Sequence, residues 1–159
     1  MTAICDLVNV AYRGGQGWTR ETDIVAGDRV QAAEIAAAIS GSNSHMFVCR
    51  QRERVVACVC VEMEGDVAQI GMFAVDPECQ GAGLGGKVLA LAEDYASQQL
   101  GASKFVVVVV SQRPELIAYY ERRGYRRTGK IQDYPTRRDD GTPLAPGLTV
   151  EYLEKRASA

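Results

Sequence analysis

Apolar residues recur with helical spacing at the start of the chain and with strand spacing in the middle. The spacing of Ile4, Leu7 and Ala11 predicts a helix over residues 4–13, and an alanine-rich stretch predicts another over 30–39. Strand-like segments follow at 46–50, 55–63 and 67–75, joined by short polar turns at 51–54 and 64–66. These three segments predict an antiparallel meander.

The second half of the pattern begins with a glycine-rich turn over residues 76–86. A helix is predicted over 84–100, where Gly101 is suited to end it. The apolar run FVVVVV at 105–110 is typical of a strand covered on both faces, and the intervening helix predicts that it runs parallel to 67–75. The remaining elements are a short helix at 115–123 and strands at 125–131 and 148–153.

This order of elements predicts an α/β (α+β) fold with a mixed sheet of about six strands and helices on both faces. The chain has 159 residues, of which 47% are hydrophobic, so we expect one domain over residues 1–159. A formal net charge of −2 offers no basic field for nucleic acid, and no apolar run approaches the roughly 20 residues that span a bilayer. We therefore expect a cytoplasmic protein with a small-molecule partner, without nucleic acid or membrane.

The cysteine and histidine content argues against a metal site. Five cysteines without CxxC spacing favour neither a disulfide framework nor a zinc knuckle. Cys58 and Cys60 share one side of a predicted strand and are expected to be buried. His45 is the only histidine and is predicted to be a loop residue before a strand. We expect no metal.

The glycine turn is the main candidate for chemistry. Glycines let the backbone approach a ligand closely, and the first N–H groups of a helix lack partners within it, so the turn suits a phosphate or diphosphate. A dinucleotide fingerprint, GxGxxG, fits Gly81, Gly83 and Gly86, but the next strand ends at Ser111 rather than at an acid. A P-loop, GxxxxGK, also fits, but Val88 stands where a hydroxyl is needed.

A third interpretation uses the segment 80–85, QGAGLG, preceded by Val-Asp-Pro. It resembles the acyl-CoA-binding motif of the GCN5-related N-acetyltransferases, the GNAT superfamily. The segment 119–125, YYERRGY, is similar to the family's second motif. The resemblance covers about residues 55–153. It departs from the family pattern at Gln80, in place of the commoner arginine, at Arg113 and Leu116, in place of asparagine and alanine, and before the first helix, where little room remains for a strand.

The resemblance implies a cofactor site for acetyl-CoA. Backbone groups of Met72, Phe73 and Val75 would hold the pantetheine arm where two parallel strands splay apart. Gly71 would ease a bulge or a close approach in that strand. The other implied cofactor-binding residues are Gln80, Gly81, Ala82, Gly83, Leu84, Gly85 and Gly86 for the diphosphate, and Arg113 for a CoA phosphate.

The implied reaction is acetyl transfer by direct attack of a primary amine, on an unidentified small molecule or peptide, in a ternary complex. A backbone N–H near Met72 or Phe73 would stabilise the oxyanion. Tyr120 would donate a proton to the leaving thiolate, because a tyrosine hydroxyl has a pKa of about 10, and Tyr119 would face elsewhere. Glu62 is a candidate base; Glu64, Glu21 and Asp23 are alternatives, whereas Gln69 cannot act as one.

Two other functions remain open at this point. One is a non-catalytic acyl-CoA-binding sensor or interaction domain, and the other is a nucleotide-binding protein. The amine pocket is expected between the loops 14–23, which contains Trp18, and 134–147, where residues 137–140 form a charged tip. Exposed sheet edges often pair, so the sequence allows a homodimer.

Overall fold

Four helices and eight strands make up the part of the chain described by the computed structural model, residues 2–13, 25–26, 32–134, 142–143 and 147–158. A short 3₁₀ helix, Pro77–Cys79, lies within the glycine turn. The helices and strands are α1 (Thr2–Arg13), β1 (Val25–Ala26), α2 (Ala32–Ser40), β2 (Ser44–Gln51), β3 (Arg54–Glu64), β4 (Val67–Val75), α3 (Leu84–Leu100), β5 (Lys104–Val110), α4 (Pro114–Glu121), β6 (Arg126–Asp133), β7 (Thr142–Pro143) and β8 (Thr149–Arg156).

Six strands form one mixed sheet in the order β2-β3-β4-β5-β8-β6, and β1 pairs with β7 in a separate two-stranded ladder. Within the six-stranded sheet only β4 and β5 are parallel, with α3 as the crossover between them. This confirms the predicted meander and the predicted parallel pair. α1 begins at Thr2.

The two faces of β3 explain why helices cover both sides of the sheet. Alternate residues of a strand point to opposite faces. Val59 and Val61 lie in the core that contains α3, whereas Cys58 lies in the core that contains α1 and α2. Cys58 and Cys60 are 0% and 3% exposed, which confirms the prediction that they are buried.

The strands β4 and β5 separate partway along their length. Their pairing comprises Val67↔Lys104, Ala68↔Phe105 and Gln69↔Val106, and no later pair joins these two strands, both of which are fully described. On its other side β4 has a bulge against β3, because Cys60 pairs with Gly71 and Cys58 with Ala74. The carboxyl half of β4 is therefore bulged on one edge and open on the other.

Two local predictions were wrong. Val107 is 1% exposed but its neighbour Val108 is 38% exposed, so β5 is not covered on both faces. The reason is that α1 packs over β3 and β4 rather than over β5. His45 is not a loop residue: it lies in β2, paired with Val61, and its ring centroid is 5.7 Å from that of Tyr95 on α3.

Candidate active site

A cleft of about 690 Å³ lies at the open half of β4. This volume is within the range of small-molecule sites. One wall comes from the end of β4 and the glycine turn, and the other comes from α4. The described lining residues are Ala11, Phe73, Ala74, Val75, Pro77, Gln80, Gly81, Gly83, Gly85, Gly86, Arg113, Leu116, Tyr119, Tyr120, Arg122 and Arg123.

Side-chain contacts hold the glycine turn in place. The Asp76 side chain accepts a hydrogen bond from the Glu78 N–H at 2.9 Å and forms an ion pair with Arg54, which also bonds Glu78 at 3.0 Å. The Gln80 side chain donates to the carbonyl of Val75 at 3.1 Å. These contacts tie the turn to β3 and to the end of β4, so the turn is ordered by protein groups.

The turn ends at the positive end of α3. Gly83 is the N-cap residue, with φ 78° and no side-chain cap. A positive φ is unfavourable for residues with a Cβ, which explains glycine at this position. The first N–H groups of α3 have no acceptors within the helix and carry its partial positive charge. They form a site suited to an anion.

The next two glycines leave room for side chains from α4 and from the turn that follows it. A Cβ at Gly85 would lie 3.1 Å from the Tyr119 hydroxyl oxygen and 3.4 Å from Val75 Cγ2. A Cβ at Gly86 would lie 3.4 Å from Arg123 Nη2. Glycine at these positions therefore makes room for the Tyr119 and Arg123 side chains as well as for a ligand.

Both tyrosines of α4 line the cleft, so the prediction that Tyr119 faces elsewhere was wrong. Tyr120 is 6% exposed, and its ring centroid is 5.4 Å from the rings of Tyr119 and Tyr125. Arg123 holds Tyr119 in position: its Cζ lies 3.5 Å from the ring centroid, and its Nη1 donates to the Tyr119 carbonyl at 3.0 Å. Burial raises the pKa of Tyr119, and the nearby Arg123 offsets part of the shift.

A buried polar cluster fixes the segment that follows α4 onto α3. The Tyr125 hydroxyl donates to Glu93 Oε1 at 3.1 Å, and Lys155 Nζ lies 2.6 Å from Glu93 Oε2. Burial, reinforced by the Glu93 carboxylate, raises the pKa of Tyr125, so this hydroxyl stays protonated as a donor. Because Tyr120 packs on Tyr125, the cluster also sets the position of Tyr120.

The described lining of the cleft carries positive charge. Arg113, Arg122 and Arg123 line it together with the positive end of α3, and no carboxylate is among its described lining residues. Arg113 is 2% exposed, with its Nε 3.5 Å from Glu115 Oε1. Guanidinium groups are well matched to phosphate oxygens. The arrangement suits a ligand with more than one negative charge.

The structure brings together most of the residues predicted for this site. Phe73, Val75, Gln80, Gly81, Gly83, Gly85, Gly86, Arg113 and Tyr120 line the cleft. Four predicted residues do not line it. The side chain of Met72 packs with the α1 core, Leu84 packs with the α3 core, Ala82 is exposed, and Glu62 is exposed opposite Gln69.

Several lining residues were not predicted, among them Tyr119, Leu116, Arg122 and Arg123. The spacing of Tyr119 and Arg123, four residues apart within the predicted helix 115–123, indicates that the two side chains can contact each other. The predicted acceptor-pocket residues Trp18, Glu21, Asp23 and 137–140 lie outside the described residues. Among those described, no group of three or more histidine, cysteine or acidic side chains is arranged for a metal ion, and no helix is long and apolar enough to cross a membrane.

Comparisons with known proteins agree with this geometry. Over 110 residues the chain is 28% identical to blasticidin-S acetyltransferase from Streptomyces morookaense, covering 69% of this chain and 71% of the relative. The crystal structure of the ribosomal-protein-S18-alanine N-acetyltransferase from Escherichia coli matches with a TM-score of 0.65 and 23% identity, covering 87% of this chain and 84% of that one. The crystal structure of nourseothricin acetyltransferase matches with a TM-score of 0.61 and 24% identity, covering 74% and 67%.

Both structural matches show the fold. The sequence profile of the acetyltransferase (GNAT) family matches residues 2–125, which include β4, the glycine turn and both tyrosines of α4. The chain therefore belongs to the acetyltransferase (GNAT) family, and it is an N-acetyltransferase.

Proposed function

We propose that this enzyme transfers the acetyl group of acetyl-CoA to a primary amine bound in the same cleft. The observation that supports this most is the cationic cleft at the open half of β4, where a glycine turn and the positive end of α3 face Tyr120. A diphosphate needs N–H donors and positive charge, and a leaving thiolate needs a proton. The lining residues supply all three.

The described residues supply groups suited to the diphosphate and the pantetheine arm of acetyl-CoA. Backbone N–H groups between Gln80 and Gly86 would take the diphosphate. Backbone groups of Met72, Phe73 and Val75 would take the pantetheine arm, because the edge of β4 that faces β5 is unpaired beyond Gln69. Arg113, Arg122 and Arg123 would neutralise phosphate charge.

The chemistry needs a carbonyl activated for attack and a leaving group that is protonated. The amine nitrogen forms a bond to the thioester carbon, the C–S bond breaks, and the thiolate takes a proton from a donor. The nitrogen loses one proton as the amide forms, and this proton returns to the donor directly or through water. Tyr120 is the proposed donor because it lines the cleft and is held between two aromatic rings. A backbone N–H of the bulge, at Met72 or Phe73, is the proposed oxyanion donor.

We place no general base within the described lining, since it holds no carboxylate. Glu62 lies outside the cleft, exposed at the far end of the β3–β4 hairpin, and would act only through intervening water. A free amine that enters the cleft unprotonated needs no base before it attacks. The proton that its nitrogen loses as the amide forms can restore the Tyr120 hydroxyl after that group has protonated the thiolate. On this scheme the rate rises with pH according to the pKa of the amine itself.

The acceptor is a primary amine of a small molecule or peptide. The compared proteins are named for blasticidin S, nourseothricin, spermidine and an alanine of a ribosomal protein. These acceptors differ from one another, so the names support the reaction class and do not select one acceptor.

The test is calorimetric titration with acetyl-CoA, alongside ATP with magnesium and NADH, followed by a screen of amines for thiol release. We expect acetyl-CoA to bind, ATP and NADH not to bind, and thiol to be released with at least one amine. Binding of ATP or NADH in place of acetyl-CoA would contradict the proposal. Binding of acetyl-CoA with no thiol release from any amine would identify an acyl-CoA-binding domain instead.

A matched pair of variants tests where the diphosphate lies. Gly83→Glu and Gly83→Lys impose the same backbone strain at φ 78° but carry opposite charge. If the diphosphate lies at the turn, Gly83→Glu loses affinity for acetyl-CoA and Gly83→Lys retains more of it. Equal loss in both would place the diphosphate elsewhere.

A further inference from the structure

A buried thiol lies directly behind the bulge of β4. Cys58 on β3 is 0% exposed, and its Sγ donates a hydrogen bond to the backbone carbonyl of Met72 at 3.3 Å. Cys58 itself pairs with Ala74, and the next pair along the ladder is Cys60 with Gly71. The thiol therefore contacts one of the two bulge residues that the regular strand register leaves out.

Met72 has an unusual backbone conformation. Its φ is 45°, in the left-handed region, which L-residues other than glycine rarely adopt. Such a conformation persists only when its surroundings hold it. Two contacts do so here: the Cys58 thiol binds the Met72 carbonyl, and the Met72 side chain packs in the core that contains α1.

We propose that Cys58 is a positioning residue for acetyl transfer, because its thiol holds the Met72 peptide in the conformation that directs the adjoining backbone of Phe73 along the cleft. This inference rests on the proposed function, in which the Met72–Phe73 backbone supplies the oxyanion donor. Phe73 lines the cleft, while Cys58 and the Met72 side chain lie on the opposite side of the sheet. Cys58 thus acts on the site without touching the substrate.

Burial also keeps the thiol in its donor form. It raises the pKa of Cys58 to about 12, so the S–H group persists across the range in which the enzyme is assayed. A thiolate could not donate to the Met72 carbonyl. The hydrogen bond therefore does not change with pH in the neutral range.

Cys60 provides a matched control. It lies two residues along the same strand, is 3% exposed, and its sulfur is 3.3 Å from Ser44 Oγ rather than from the bulge. Removing either thiol takes one sulfur atom out of a buried site. Only removal of the Cys58 thiol changes the contact to Met72.

The first experiment compares kcat and KM in Cys58→Ala, Cys58→Ser and Cys60→Ala. We expect kcat to fall about tenfold in Cys58→Ala, less than the 10²–10³-fold typical of deleting an oxyanion donor outright, because the donor is displaced and not removed. Cys58→Ser keeps a hydroxyl donor and should recover most of the loss, and Cys60→Ala should stay within about twofold. Equal kcat in Cys58→Ala and Cys60→Ala would overturn the proposal, whatever their melting temperatures.

The second experiment asks whether the effect passes through Met72. Glycine adopts positive φ without strain, so in a Met72→Gly background the loss caused by Cys58→Ala should shrink. An undiminished loss would show that Cys58 acts by another route.

Backbone amide NMR shifts of Phe73 give a readout that does not depend on turnover. These shifts should change in Cys58→Ala and stay unchanged in Cys60→Ala. If the wild type transfers no acetyl group, the proposed function fails, and unmoved Phe73 shifts in Cys58→Ala would separately overturn the role of Cys58.

Discussion

The two halves of β4 have the same strand character but different surroundings. In the first half, Val67 to Gln69 pair with β3 on one edge and with β5 on the other. In the second half, from Gly71, a bulge interrupts the pairing with β3 and no pairing to β5 remains. Backbone groups bonded within a sheet stabilise the fold, whereas those left open are available to a ligand. The cleft lies where the ladder stops.

The largest effect on turnover is expected from Tyr120, which lines the cleft at the open half of β4. Tyr120→Phe removes the proposed proton donor and should lower kcat by about 10²–10⁴-fold, the usual contribution of general acid catalysis. Acetyl-CoA affinity should change little, because the ring still packs between Tyr119 and Tyr125. Tyr119→Phe, one residue away in the same cleft, is the control. Thiol release equal in the two variants at every pH would remove Tyr120 from the mechanism.

The second-largest effect is a loss of acetyl-CoA affinity when the cleft is narrowed at Gly85, beside the end of β4. In Gly85→Ala the new methyl group would press on the Tyr119 hydroxyl and on Val75, so the affinity for acetyl-CoA should fall about tenfold, equivalent to about 1.4 kcal/mol. In Gly86→Ala the new methyl group meets only the end of the Arg123 side chain, which can move. Both changes favour helix formation equally, so a difference in affinity between the two variants reports the contacts at Gly85. Calorimetric titration with acetyl-CoA measures this difference. Similar affinities would mean that the ligand does not occupy this end of the cleft.

A third prediction concerns the thiol behind the bulge. The pKa of Cys58 is raised in the folded protein to about 12, so its contribution to stability is complete below the pKa of the unfolded thiol and is lost as pH rises toward the folded value. Between about pH 9 and 11 this contribution falls by up to about 1.4 kcal/mol per pH unit. Cys58→Ser should flatten the alkaline slope of the free energy of unfolding, measured in urea. An unchanged slope would contradict the burial of this thiol.

The smallest effect on acetyl-CoA affinity is expected from replacing Arg123, one of the arginines that line the cleft. Arg123→Gln should weaken acetyl-CoA binding about fivefold and reduce its dependence on salt, because half-buried ion pairs with phosphate are partly screened. Arg126→Gln on β6 removes an equal charge from an exposed site outside the described lining of the cleft. Titrations at two ionic strengths compare them. If the two variants lose the same affinity with the same salt dependence, Arg123 contributes only through the overall charge of the protein and not through a contact in the cleft.

The sequence by itself determined the local features of this protein. The change from helical to strand spacing, the glycines at 81–86 and the YYERRGY segment each depend on neighbouring residues, and they indicated the sheet, the anion site and the position of Tyr120. Local backbone preferences account for this: Gly83 stands where φ is positive, and Gly101 ends α3 with φ 72°.

Only the tertiary structure decided the features that depend on contacts between distant segments. The separation of β4 from β5 and the bond from Cys58 to Met72 arise from packing across the sheet. The Tyr119 side chain lies in the cleft beside Gly85, and Val108 is exposed because α1 packs over β3 and β4. A run such as FVVVVV favours a strand whichever of its faces is covered, because the backbone preference of valine is local and its burial is not.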